Sequence, residues 1–216
     1  MSFRIEADAA AEDVEALLAE GPDVLVFAPG VHVYSLVLPR SVRLVGEPGA
    51  IVDAGGAGPL LSVTEDDLEI VVEGLTLRGG HSDGGGGVRL TGFSTLTLRR
   101  CTITRCSAPT NQGGGALALR GSLTLEQCTF TGNLARAGSD LVATGISEVH
   151  ILGGTYDGDL IAREGATLHV RDARVAGKIH VRGTTTRAPT VRLDGVTALG
   201  GVENDAVLPG VLSEDA

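Results

Sequence analysis

Two histidines raise the question of chemistry. His150 in SEVHILGG and His169 in ATLHVRD each stand between two apolar residues, Val149 and Ile151 for the first, Leu168 and Val170 for the second. Period-two alternation sends such a residue to the face opposite its neighbours, so both imidazoles point outward from a strand. Arg171 and Asp172 follow closely in sequence. Imidazoles change charge near neutral pH, which makes His150, His169 and Arg171 the catalytic candidates for acid or base work. The plainer reading is a pair of polar residues on a solvated sheet face.

Other residues with metal or redox chemistry carry less. Asp157 and Asp159 in TYDGD, and His81 with Asp83 in GGHSDGGGG, have cation-ligand side chains. Turns favour Asp and Gly for backbone reasons, so we expect no metal site and no cofactor. Three cysteines, an odd number without CxxC spacing, fit free thiols in a reducing compartment better than a disulfide framework.

A contact chemistry is suggested by the short segments GVRL, ALAL, DLVA, DLIA and KIHV. Read as strands, they place Arg89, Ala118, Val142, Ile161 and His180 outward, beside Thr91, Arg120, Thr144, Arg163 and Arg182. An outward apolar stripe flanked by arginines suits a contact surface, unless a loop of the same chain covers it. Arg120, Val142, Ile161, Arg163, His180 and Arg182 are therefore the binding candidates, facing a second copy or a protein partner whose carboxylates the arginines would hold.

The elements that position these residues are repeats. LEIVVEGLTLRGG (68–80), STLTLRRCTITRC (94–106), GSLTLEQCTFTGN (121–133), SEVHILGGTYDGD (147–159), ATLHVRDARVAGK (166–178) and PTVRLDGVTALGG (189–201) superimpose without gaps. Their first apolar anchors, Ile70, Leu96, Leu123, Val149, Leu168 and Val191, are 26, 27, 26, 19 and 23 residues apart by subtraction. An earlier copy shows at Val42 and Leu44, and a weaker one at Val24 and Val26. A unit of this size cannot bury its apolar face alone, so copies must stack. Stacking brings equivalent side chains to a strand spacing of about 4.8 Å, which puts Cys101 above Cys128 in a buried ladder and sets Asn133 at the turn position of Cys106.

The same alignment generates outward columns. One reads Val71, Thr97, Thr124, His150, His169, Arg192; the next reads Glu73, Arg99, Glu126, Leu152, Arg171, Asp194. No cluster of carboxylates recurs in adjacent copies, so neither a calcium site nor the paired carboxylates of glycoside hydrolysis is indicated. At the N-terminus, Asp8 reads as a helix N-cap, Val14, Leu17 and Leu18 as an apolar stripe, and Gly21-Pro22 as the stop. That helix would cover the open end of the first coil.

Composition agrees. Of 216 residues 43% are apolar, 32 are glycine and only 3% are aromatic, which suits thin β-layers with many turns. A net charge of −10 argues against nucleic-acid binding and against an anionic membrane surface. No apolar run is long enough to insert in a membrane. No basic segment followed by an apolar one marks a secretory signal, so the expected location is cytoplasmic.

The cap segment followed by DVLVFAPGVHVYSLVLPRSVRLVGEPGAIVDAGG resembles the start of right-handed parallel β-helix proteins of the pectin-lyase-like superfamily. GGGV (85–88), GGGALAL and FTGN are similar to elements of the polymorphic outer-membrane protein repeat. The resemblance implies an all-β, single-stranded right-handed parallel β-helix of about eight coils. Its expected divisions are a capping helix at 1–22, the helix proper at 23–205 and a tail at 206–216. It implies lyases or hydrolases acting on polysaccharides, or non-catalytic members. We expect a structural or binding scaffold that associates through a sheet face or coil end. The alternative is a polysaccharide lyase or hydrolase, or a glycan-binding module, with its site on the His150 and His169 face.

Overall fold

The structure is a computed structural model that describes residues 2–183 and 186–205, with the backbone of 214–215. It is a parallel β-solenoid of about eight turns with one helix. Each turn lays strands on three faces. The first face runs from Val24–Phe27 through Val42–Gly46 and Glu69–Glu73 to Thr190–Asp194. The second runs from Gly30–Val33 to Thr197–Ala198. The third runs from Leu36–Val37 to Val202–Asn204. Two long strands, Ala116–Glu126 and Leu141–Leu152, turn the corner from third face to first without a break.

The repeat alignment is the register of the first face. Val42 pairs with Ile70, then Leu96, Leu123, Val149, Leu168 and Val191 follow in one column, while Leu44, Val72, Leu98, Leu125, Ile151, Val170 and Leu193 form the next. All but Leu193 are buried in one continuous core. Burying each such aliphatic side chain contributes roughly 1.5–3 kcal/mol, and copies supply each other's partners. On the second face Leu77, Ile103, Phe130, Tyr156 and Val175 form the inward ladder, with Phe130 and Tyr156 stacked at 5.0 Å.

The corner between first and second faces carries a left-handed residue at the same position in six successive turns. Gly74, Gly153 and Gly195 fill it at φ of 69°, 74° and 59°, and Arg100, Gln127 and Asp172 fill it at 49°, 52° and 53°. Left-handed geometry costs a residue with a Cβ about 1–2 kcal/mol, yet half the turns accept it because the pairing on both sides holds the corner in place.

Three expectations shift. The weak copy at Val24 and Val26 is out of phase by one residue: Leu25 pairs with Leu44 and is buried with Phe27, so these two point inward. The helix spans Ala11–Glu20 with Ala10 as its N-cap and no side-chain cap, so Asp8 does not cap it. Val14 and Leu18 nonetheless seal the core end. Ahead of the helix, Ser2–Ile5 forms an additional strand on Val24–Phe27. The 206–216 tail lies outside the described residues apart from a strand at Glu214–Asp215 beside Leu193–Asp194. Among the described residues no helix is long and apolar enough to cross a membrane.

Candidate functional site

The predicted histidine pair is real in space. His150 and His169 are in register on adjacent turns, their rings 5.2 Å apart and nearly perpendicular. They line a shallow groove of about 250 Å³ with Leu152, Arg171, Arg192 and Asp194. The groove exists because the side chains of three neighbouring turns stand in two columns at strand spacing, leaving a furrow between them.

Its electrostatics are set by few groups. His150 Nε2 lies 3.0 Å from Glu148 Oε1. Partial burial, then the neighbouring His150 and Arg192, lower the pKa of His169 below the usual imidazole value, although Glu148 pulls the other way. Arg171 approaches Asp172 at 3.9 Å, both well exposed, a contact worth little in solvent. Arg192 makes no ion pair or hydrogen bond among the described residues. The groove thus presents two imidazoles and two guanidinium groups, with Asp194 in register with Arg171. Arg192 and Asp194 stand in the sequence-derived columns, but nothing in their local sequence distinguished them before the groove was seen.

The second candidate surface is rearranged. Arg89 pairs with Leu117, not Ala118; Ala116 and Ala118 point into the main core. The outward column is Leu117, Val142, Ile161 and His180. These side chains are not exposed: Leu117 is 8% accessible, Val142 0% and Ile161 3%, a satellite core with Ala137 against it. The loops leading into the third face lie over them. At Gly138, with φ of 59°, an added Cβ would lie 2.4 Å from Val142 Cγ2 and 3.3 Å from Ile161 Cγ1. Val142 and Ile161 therefore pack within the chain and offer no contact surface.

The flanking candidates scatter. Arg120 is displaced by a register shift after Ala118, pairs with Ile146, and stacks its guanidinium 5.4 Å from the Phe93 ring centre. Arg163 and Arg182 are in register. Arg163 Nε is buried without a hydrogen-bond partner among the described residues, while Arg182 Nε lies 3.9 Å from Asp205. His180 is enclosed between Asp159 Oδ2 at 3.8 Å and Glu203 Oε2 at 3.1 Å, the latter too poorly aligned for a hydrogen bond.

The remaining chemistry-bearing residues have structural partners. Cys101 and Cys128 occupy one buried column, and all three cysteines are free. Burial pushes the thiols of Cys101 and Cys106 up to about 11 and that of Cys128 to about 12, so they are unreactive. Asn133 accepts from Cys106 N–H at 3.0 Å and donates to the Ile103 carbonyl and to Asp140 Oδ1. Asp140 is fully buried and also accepts the Gly158 N–H at 2.6 Å; burial raises its pKa. His81 bonds Ser107, Asp83 accepts from Thr110 and Asp157 from Thr131, so these side chains do not converge. Among the described residues no three His, Cys, Asp or Glu side chains are grouped to hold a metal ion. One histidine escaped the sequence reading: His32 is buried in the first turn, its Nε2–H donating to the Ala28 carbonyl at 2.8 Å and its Nδ1 facing the Tyr34 hydroxyl at 3.2 Å.

A comparison with known proteins finds no matching family model, curated protein or solved structure.

Proposed function

We propose that this protein is a non-catalytic binding scaffold whose first face holds an extended, carboxylate-bearing ligand across His150, His169, Arg171 and Arg192. One observation carries the reading: two guanidinium and two imidazole groups converge in one furrow, and Arg192 has no ion pair among the described residues. Guanidinium groups take carboxylates in paired hydrogen bonds, and a row of side chains at strand spacing matches a chain-like ligand better than a compact one. The furrow is shallow, and among the described residues Asp194 is the one carboxylate lining it, so these residues hold no counterpart of the two-carboxylate arrangement of a glycoside hydrolase.

An acidic polysaccharide is the ligand class favoured by the likeness of the cap segment and the first coils to pectin-lyase-like β-helices. The test is calorimetric titration with an oligogalacturonate and a neutral cello-oligosaccharide of equal length. Binding of the acidic glycan alone, without cleavage and abolished in Arg192→Gln, is expected. Equal binding of both glycans, or affinity unchanged in Arg192→Gln, would remove the reading; release of shortened products would replace it with the enzyme alternative.

A further inference from the structure

The N-terminal end carries a second site, independent of the histidine face. Ser2–Ile5 pairs on one side with Val24–Phe27 and heads its sheet, with no strand among the described residues on its other side. Its outer backbone groups are an open template for another strand. The helix does not close this edge. While Val14 and Leu18 enter the core, the adjoining stripe of Asp13, Ala16, Leu17 and Glu20 faces the strand across an open groove of about 590 Å³.

The groove has an apolar floor and an acidic rim. Phe3 is 46% accessible and Leu17 only partly buried. Arg4, the one cation lining it among the described residues, is held by both oxygens of Glu47 and by Glu6. Asp13 and Glu20 have no ion-pair partner among the described residues. Between Glu6 and Asp23 the chain carries seven carboxylates and no Lys or Arg.

We propose that this groove binds an extended cationic segment of a partner protein. The segment adds as a strand to Ser2–Ile5, places alternate apolar side chains between Phe3 and Leu17, and sets lysines or arginines against Asp13 and Glu20. Main-chain pairing supplies affinity and the alternating pockets supply selectivity, over four residues or roughly 13 Å of strand. Two copies of this end repel each other through the same carboxylates, which disfavours edge-to-edge dimerisation as the occupant.

The test uses the full chain and fluorescence anisotropy with labelled acetyl-(Arg-Val)3-amide, its Glu-Val counterpart, and the Arg-Val peptide N-methylated at alternate amides. The Arg-Val peptide should bind. N-methylation should weaken it by about tenfold or more, because methylated amides cannot pair with a strand edge, and Asp13→Lys with Glu20→Lys should do the same. Ala16→Arg, which fills the groove from a helix position, should block it while the melting curve confirms folding. Failure of the Arg-Val peptide to bind, equal binding of the methylated peptide, or binding unaffected by Ala16→Arg would overturn the proposal. So would a dimer seen in sedimentation that Ala16→Arg dissolves, since a second copy would then fill the groove.

Discussion

Replacing Ile161 by Ala tests whether the apolar stripe of the third face is core or surface. Ile161 packs with Leu117, Val142 and Ala137 and is only 3% accessible. The substitution removes three carbons, worth about 0.8 kcal/mol each in transfer, and leaves a partial cavity. The covering layer is a thin loop able to settle, so the loss should sit near the low end for core truncations, roughly 2–3 kcal/mol. For a chain of this size that is a fall in melting temperature of roughly 5–10 °C. Ile146→Ala is the internal control: the same side chain, 58% accessible one corner away, should change stability by less than about 0.5 kcal/mol. Urea midpoints followed by circular dichroism give the stabilities, and light scattering gives the mass of each variant. Equal stability of the two variants, with a change of mass only for Ile161→Ala, would refute the reasoning and return Ile161 to an intermolecular contact.

Other expectations follow from the same geometry. Asn133→Ala strips the buried Asp140 of one partner, orphans the Cys106 N–H and removes one donor from the Ile103 carbonyl, so urea unfolding should show a loss of about 2–4 kcal/mol. In Gly115→Ala the added Cβ would meet the Asp140 carbonyl and the Phe130 ring at 2.6 Å, and a loss of about 1–3 kcal/mol in the same assay is expected. Burial raises the Asp140 pKa, so the folded state holds that proton more tightly than the unfolded chain. Its stabilising contribution is complete below the ordinary aspartate value and is lost as pH rises through the raised one. Asp140→Asn should lack that decline, and parallel stability profiles for the two proteins would contradict it. His169 should titrate below the usual imidazole value in NMR spectra, and Arg192→Gln should move it upward; an unmoved titration would separate the two side chains. Because His169 gains its charge only on acidification, acidic-glycan affinity should rise as pH falls below the usual imidazole value.

The first face was legible in the chain because apolar and polar residues alternate there. In TLTLR or TLHVR only one phase buries the apolar set, and a slip of one residue would turn it outward. Register, inward ladders and the meeting of His150 with His169 all follow from that. The errors fall where alternation fails. VLVF and ALAL are apolar at every position, so they carry no phase, and Leu25, Phe27 and Leu117 were assigned to the wrong side or missed. A bulge after Ala118 then displaced Arg120.

Burial of Val142 and Ile161 depended on where the loops through Ala137 and Gly138 come to rest. That is decided by contacts between neighbouring turns and leaves no periodic trace in the chain. The furrow beside Arg192 and the groove beside Phe3 are likewise properties of spacing between elements, which local sequence does not encode. Alternation determined which residues share a face; only the tertiary structure decided which of those faces meet water.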